Sequence, residues 1–192
     1  MPVTGANAVT GRVPGEQAQL LASVYAAAKR RGVELLLIGA IARDFITHHH
    51  WGADAGRATK DIDFAVQAST WDEYALLQDA LVDEAFIRTG VAHQLEHNGV
   101  KVDLVPFGAI TAPDGVLAWP PDGQPQMSTA GLLEAFQTAI VFEHRVPSAW
   151  TIRVPAPPTF LGLKVLAGAD RGHDKSKDAE DIDFVLTQAG HV

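Results

Sequence analysis

Apolar and polar positions change their spacing along the chain, and this change predicts alternating helices and strands. Helical spacing of apolar residues runs from Gly15 to Arg31, where three consecutive cations precede Gly32. Cations complement the C-terminal end of a helix dipole and glycine commonly ends helices, so we expect the first helix to stop at Gly32. A mostly apolar run at 33–38 then predicts a buried strand that ends at a glycine turn, Gly39.

Two later segments, 61–66 and 100–105, alternate apolar and polar residues with the period of a strand. Successive side chains of a strand point to opposite faces of the sheet. The apolar positions therefore enter the core, while Asp61 and Asp63 leave it, as does Asp103 in the second segment. If the two strands are neighbours, three carboxylates lie on one face.

A second strand is predicted before Asp103 because the Asn-Gly pair at 98–99 separates two alternating runs. This pair is a strong signal for a two-residue hairpin turn. The turn sets Glu96 opposite Lys101, and the same register sets Gln94 opposite Asp103.

Helix boundaries are predicted at two further places. Thr70 and Glu73 form a capping-box pattern, followed by a predicted buried stripe of Leu76, Leu77, Ala80 and Leu81. Near the end of the chain, Pro157 opens a helix for which we predict a buried stripe of Leu161, Leu163, Val165 and Leu166. The order strand, helix, strand, helix, hairpin favours an α/β fold with a mixed sheet.

Composition narrows the class of protein. The chain has 192 residues, of which 47% are hydrophobic, a net charge of −8 and no cysteine. An acidic chain is a poor general nucleic-acid coat, and the missing thiols exclude disulfides and thiolate metal sites. We find no apolar run of membrane-spanning length and no secretion signal at the first residues, so we expect a cytoplasmic protein without a membrane partner.

Clustered carboxylates need a counterion, and hard divalent cations prefer oxygen ligands. Asp61, Asp63 and Asp103 are therefore candidate ligands for Mg2+ or Mn2+. A glycine at a strand-to-helix turn lets backbone N–H groups approach a phosphate, which makes Gly39 a candidate contact. Arg43 follows in the first turn as a candidate phosphate-binding cation. The alternative interpretation is a solvated strand edge and a solvated cation, without chemistry.

These motifs together resemble the polymerase β-type nucleotidyltransferase superfamily, and within it the AbiEii/AbiGii toxin-like small bacterial nucleotidyltransferases. The likeness rests on Gly39-Ala40, Asp61-x-Asp63 and Asp103, and extends to Arg57-x-Thr59, residues 119–123, 160–165 and 177–182. The resemblance implies a nucleotidyltransferase (polymerase β-like) fold with C-terminal helices. We expect one domain spanning 1–192, with a core at about 15–110, an irregular excursion at about 107–130 and a helical part at about 155–190.

The resemblance also implies an activity, the transfer of a nucleoside monophosphate from a nucleoside triphosphate to a hydroxyl. Asp61, Asp63 and Asp103 would be catalytic and would bind two divalent ions, Mg2+ or Mn2+. The implied nucleotide- and phosphate-binding residues are Gly39, Ala40, Arg43, Arg57, Thr59, Lys164 and Asp178. The acceptor would be an RNA or tRNA end, a protein or a small molecule, and a toxin role would imply an antitoxin partner.

Two departures from the family pattern keep alternatives open. Ala40 stands where many relatives have glycine or serine, and an apparent insertion spans about 48–56 as either a mobile lid or a decorated loop. The leading alternative is a catalytically inactive protein that binds a nucleotide or a partner on the same scaffold. An Asp-x-Asp glycosyltransferase is disfavoured, because the third acid and the short chain fit that class poorly.

Overall fold

The computed structural model describes residues 7–8, 13–54, 56, 59–124, 126–144, 149–170 and 176–190. The helices are α1 (Gly15–Arg31), α2 (Gly39–Asp44), α3 (Trp71–Val82), α4 (Leu132–Gln137), α5 (Pro157–Asp170) and α6 (Ser176–Ala189). The strands are β1 (Asn7–Ala8), β2 (Glu34–Ile38), β3 (Asp61–Gln67), β4 (Ile87–Arg88), β5 (Gln94–His97), β6 (Val100–Phe107), β7 (Val116–Ala118), β8 (Gln126–Ser128), β9 (Ile140–His144) and β10 (Trp150–Val154). A π-helical segment, Phe45–His50, continues α2.

The main sheet is mixed, as the alternation of elements predicts. Its strand order is β2-β3-β6-β5-β4, in which β3 and β6 are parallel and the other neighbours are antiparallel. A second sheet has the order β1-β9-β10, and β7 pairs with β8 within the proline- and glycine-rich excursion. Within the described residues, no helix is both long enough and apolar enough to cross a bilayer.

The two faces of the main sheet differ in what covers them. One face carries the larger core, in which Leu37, Phe64 and Leu104 are fully buried together with residues of α1 and α3. The opposite face carries a smaller apolar cluster of Leu36, Ala65, Phe107, Leu132 and Ala135, so α4 covers one part of that face. Asp61, Asp63 and Asp103 belong to this second face by strand parity, because Ala65 is two residues beyond Asp63.

Local signals in the sequence correspond closely to the local structure. Gly32 ends α1 in the left-handed region, with φ of 69°. Thr70 is the N-cap of α3, and its hydroxyl accepts a hydrogen bond from the Glu73 N–H at 3.1 Å. The predicted hairpin forms between β5 and β6, with Glu96 opposite Lys101 and Gln94 opposite Asp103. Each of these three predictions is confirmed.

Three predicted buried positions are wrong. Leu76 of α3 is 49% exposed, and Val165 and Leu166 of α5 are 61% and 40% exposed. In α5 the fully buried aromatic position is Phe160. Hydrophobicity alone does not fix the phase of a helix, because the side that is buried depends on which neighbouring element packs against it.

Candidate active site

Three acids share one face of the main sheet, on the parallel strands β3 and β6. Asp63 is directly opposite Asp103 in the register, and Asp61 lies two residues before Asp63 on the same strand face. Asp61 is exposed, and Asp63 and Asp103 are half-buried. Adjacent strands lie about 4.8 Å apart, so the backbones of Asp63 and Asp103 are immediate neighbours.

The turn between β2 and α2 packs directly against this acidic face. Gly39 has φ of +71°, and a Cβ atom on it would lie 1.9 Å from Asp63 Oδ2 and 3.1 Å from Asp63 Cβ. No real Cβ atom comes that close to another heavy atom. Glycine is therefore required at this position for both its backbone conformation and its lack of a side chain.

Polar side chains bind the carboxylate of one acid and the backbone of another. Gln94 Nε2 donates a hydrogen bond to Asp103 Oδ1 at 2.9 Å from the neighbouring strand β5. The Thr59 hydroxyl accepts a hydrogen bond from the Asp61 N–H at 3.2 Å, which fixes the entry into β3. Gln94 is a site residue that the hairpin register predicts but that the family motifs omit.

The Arg43 side chain is buried inside the protein, where it contacts Asp44 and Asp181. It is 1% exposed, and its Nη1 donates to Asp181 Oδ1 at 2.5 Å. Its Nε and Nη2 donate to Asp44 Oδ1 at 3.0 and 2.8 Å. Arg43 thus contacts two carboxylates in this structure, because α6 brings Asp181 against α2, and its phosphate contact stays a prediction.

Lys164 lies in the same group of charged residues, and its side chain is partly buried. Its Nζ is 3.0 Å from Asp178 Oδ1 and 2.7 Å from Asp181 Oδ2. Burial raises the pKa of Asp181, but the hydrogen bond and charge of Lys164 and the charge of Arg43 outweigh it, so that pKa lies below its usual value. For Asp44, burial dominates and raises the pKa despite the neighbouring Arg43.

Gly56, which precedes β3 in the chain, also contacts this group of charged residues. A Cβ atom on Gly56 would lie 2.4 Å from Arg43 Nη2 and 2.7 Å from Arg43 Nε. The Gly56 backbone also hydrogen-bonds to Asp44. The end of the apparent insertion is therefore anchored on the Arg43 guanidinium, and its beginning is helical, since Phe45–His50 continues α2.

The predicted site residues thus fall into two groups. Gly39, Thr59, Asp61, Asp63 and Asp103 lie at the acidic face, and Ala40 is the next residue of α2. Arg43, Lys164 and Asp178 form the second group with Asp44 and Asp181. Arg57 lies outside the described residues.

Sequence reasoning missed the roles of Asp44 and Gly56; it matched Asp181 to a family element near the site but did not predict its pairing with Arg43. The signal for Asp181 was its helical phase, because Asp178, Asp181 and Val185 are spaced to share one face of α6 and all three are buried. An acid in an apolar phase indicates a buried partner. Nothing in the sequence marks Gly56, because a glycine in a loop is usually a turn residue.

A divalent cation suits the acidic face by donor chemistry, because all three acids present carboxylate oxygens from the same side of the sheet. The half-buried Asp63 carboxylate lies against Gly39, where only a glycine leaves room for it. Among the residues that the structure describes, no three His, Cys, Asp or Glu side chains form a group that could hold a metal ion. The residue types and their common face fit a cation, while the side chains are not gathered into a ligand group of three.

Comparison with solved structures identifies the architecture. The solution structure of the antibiotic-resistance factor ANT(2'')-Ia matches with a TM-score of 0.53 and 17% identity, over 93% of this chain and 87% of that chain. The crystal structure of ANT(2'')-Ia in complex with adenylyl-2''-tobramycin matches with a TM-score of 0.52 and 16% identity, over 92% of this chain and 91% of that chain. The chain has a nucleotidyltransferase fold.

An antigenic nucleotidyltransferase-like protein from Paracoccidioides brasiliensis supports the same assignment. It matches with a TM-score of 0.53 and 14% identity, over 91% of this chain and 78% of that chain. No protein-family model and no curated protein matches the sequence. The predicted nucleotidyltransferase fold with C-terminal helices is confirmed, whereas the AbiEii/AbiGii subfamily stays a prediction.

Proposed function

We propose that the chain transfers a nucleoside monophosphate from a nucleoside triphosphate to a hydroxyl of an acceptor. The observation that carries the proposal is the common face of Asp61, Asp63 and Asp103 beside the Gly39 turn, in a nucleotidyltransferase fold. A bound divalent cation, Mg2+ or Mn2+, would neutralise the triphosphate and make the attacking hydroxyl more acidic. Asp61, Asp63 and Asp103 are the residues that would hold it.

The chain's own residues would position the reactants. Backbone N–H groups at Gly39 and Ala40 would contact the triphosphate, with Arg57 and Thr59 as further candidates. Asp103 would accept the proton of the acceptor hydroxyl, and Gln94, which bonds Oδ1, leaves Oδ2 as the accepting atom. The acceptor oxygen would bond to the α-phosphorus, and the bond to the leaving pyrophosphate would break.

Arg43, Lys164 and Asp178 would support the donor site indirectly. Their charges are largely paired with one another and with Asp181, so they would hold the surrounding helices in place.

The net charge of the chain guides the choice of acceptor class. A net charge of −8 disfavours a long nucleic-acid acceptor and favours a small molecule or a short nucleic-acid end. One similar structure is a complex with adenylyl-2''-tobramycin, which is consistent with a small-molecule acceptor. A toxin role with an antitoxin partner would need co-expression tests in cells.

The test is incubation of the protein with each nucleoside triphosphate, labelled on the α-phosphate, with Mg2+ or Mn2+ and pools of RNA, protein and small metabolites. We expect label transfer to one pool, and we expect Asp63→Ala to abolish it. The matched control is Asp79→Ala, which removes an exposed carboxylate of α3 that pairs with Arg88. Transfer that survives in Asp63→Ala would contradict the proposal.

Two other outcomes would also reject it. Nucleotide binding without transfer in any pool would favour the inactive binding protein. Consumption of a nucleotide sugar alone would favour a glycosyltransferase. Each outcome is read from the same set of incubations, with the nucleotide sugar added as a further donor.

A further inference from the structure

A group of buried and partly buried charges links the C-terminal helices to α2, which begins beside the acidic face. We call this group the charge cluster, and it consists of Arg43, Asp44, Lys164, Asp178 and Asp181. Asp181 is 0% exposed and bonds both cations, Arg43 of α2 and Lys164 of α5. It is therefore the member that joins three helices.

Arg43 is held from several sides. Asp44 and Asp181 accept hydrogen bonds from its guanidinium, and the Phe184 ring lies with its centroid 5.5 Å from the guanidinium carbon. Gly56 covers another side so closely that a Cβ atom there would lie 2.6 Å from Cζ. These contacts restrict the Arg43 side chain, because movement of the guanidinium would weaken its charge-assisted hydrogen bonds.

The contacts of Arg43 also restrain the acidic face, because Arg43 and Gly39 belong to the same short helix. Gly39 precedes Arg43 by about one helical turn, so contacts that hold Arg43 also restrain the start of α2. Gly56 precedes Asp61 by a span of at most about 18 Å of extended chain. One guanidinium thus holds both the helix that begins at the Gly39 turn and Gly56, which precedes Asp61 in the chain.

We infer that Asp181 is a positioning residue for the proposed nucleotide site. It acts through Arg43 on both the Gly39 turn and Gly56. The inference rests on the proposed function for its link to the nucleotide, but the mechanical coupling does not require it. A neutral residue at 181 leaves the buried Arg43 and the partly buried Lys164 with less counter-charge, and such cations turn towards water. Arg43 then holds the Gly39 turn and Gly56 less tightly, and the backbone at both places opens more often.

The test variant is Asp181→Asn in the full chain, which keeps the shape of the side chain and removes its charge. Two measurements apply: hydrogen exchange by mass spectrometry, and Mg2+-dependent binding of a non-hydrolysable nucleoside triphosphate analogue. We expect amide exchange at 39–44 and 59–63 to accelerate by about tenfold or more, which corresponds to a loss of about 1.4 kcal/mol in the free energy of local opening. The affinity for the analogue should fall by a similar factor.

A second variant perturbs the same contact from the other side. Gly56→Ala pushes a methyl group against the Arg43 guanidinium while Asp181 stays intact. It should accelerate exchange in the same two segments. It keeps the inference testable even if Asp181→Asn fails to fold.

The matched control is Val185→Ala, which creates a cavity under the same helix, at a residue that is 1% exposed. It lowers stability without removing a charge, so it should leave the exchange pattern at 39–44 and 59–63 close to that of the unmodified protein. Equal acceleration in Val185→Ala, or none in Asp181→Asn and Gly56→Ala, would overturn the inference. Failure of the unmodified protein to bind the analogue would instead count against the proposed function, since the exchange result stands alone.

Discussion

Substituting Gly39 by alanine gives a sharp prediction because the chain offers a matched control. Gly39 and Gly32 have nearly the same backbone conformation, with φ of +71° and +69°. A Cβ atom on Gly32 would meet no atom within 4 Å, whereas one on Gly39 would overlap the Asp63 carboxylate. The two alanine variants therefore share the conformational cost and differ only in the steric one.

The magnitudes follow from these two contributions. A non-glycine residue in the left-handed region costs about 1–2 kcal/mol, which is the whole loss expected for Gly32→Ala. In Gly39→Ala, rotation of Asp63 could move Oδ2 away, but Asp63 Cβ, at 3.1 Å, is fixed to the strand. Overpacking adds about 1–3 kcal/mol, so the free energy of unfolding should fall by about 2–5 kcal/mol.

Urea unfolding followed by tryptophan fluorescence measures the stability of both variants, and label transfer measures their activity. We expect Gly32→Ala to keep activity and Gly39→Ala to lose it, because the new methyl group displaces a carboxylate of the proposed site. Equal losses of stability in the two variants, together with full activity in Gly39→Ala, would refute the close packing of the turn on Asp63.

Two further predictions concern stability. In the folded protein the pKa of Asp181 lies below its usual value of 3.8, so at low pH the unfolded chain binds more protons than the folded one. The ionised Asp181 therefore stabilises the fold above about pH 4, and this stabilisation is lost as the pH falls. The free energy of unfolding, measured by urea titration, should therefore fall more steeply below about pH 4 in the unmodified protein than in Asp181→Asn, and equal slopes would contradict the assignment. Asp44, whose pKa is raised by burial and to a smaller extent by the Asp181 charge, contributes the opposite slope, and this contribution should be smaller in the variant. Thr70→Ala should lower the free energy of unfolding by about 1 kcal/mol because it removes the N-cap of α3, whereas Thr70→Ser keeps an acceptor for the Glu73 N–H. Equal stability of the two variants in urea would show that the cap is unimportant.

Local geometry explains which features the sequence alone determined. The period of two in a strand places Asp61 and Asp63 on the side opposite the core without any knowledge of the neighbours. The turn at 98–99 sets the register of its hairpin, and with it the contact between Gln94 and Asp103. These features depend on residues close in sequence, so their causes are visible in the sequence.

Only the tertiary structure decided how distant segments meet. The acids form one face because β6 lies beside β3 in parallel, a pairing that short-range patterns leave open. Arg43 has the residue type and position of a phosphate contact, and the sequence gives no sign that Asp181, 138 residues away, accepts a hydrogen bond from its Nη1 inside the protein. Whether a charge faces a ligand or a buried partner depends on which surface packs against it, and packing joins residues regardless of their separation along the chain.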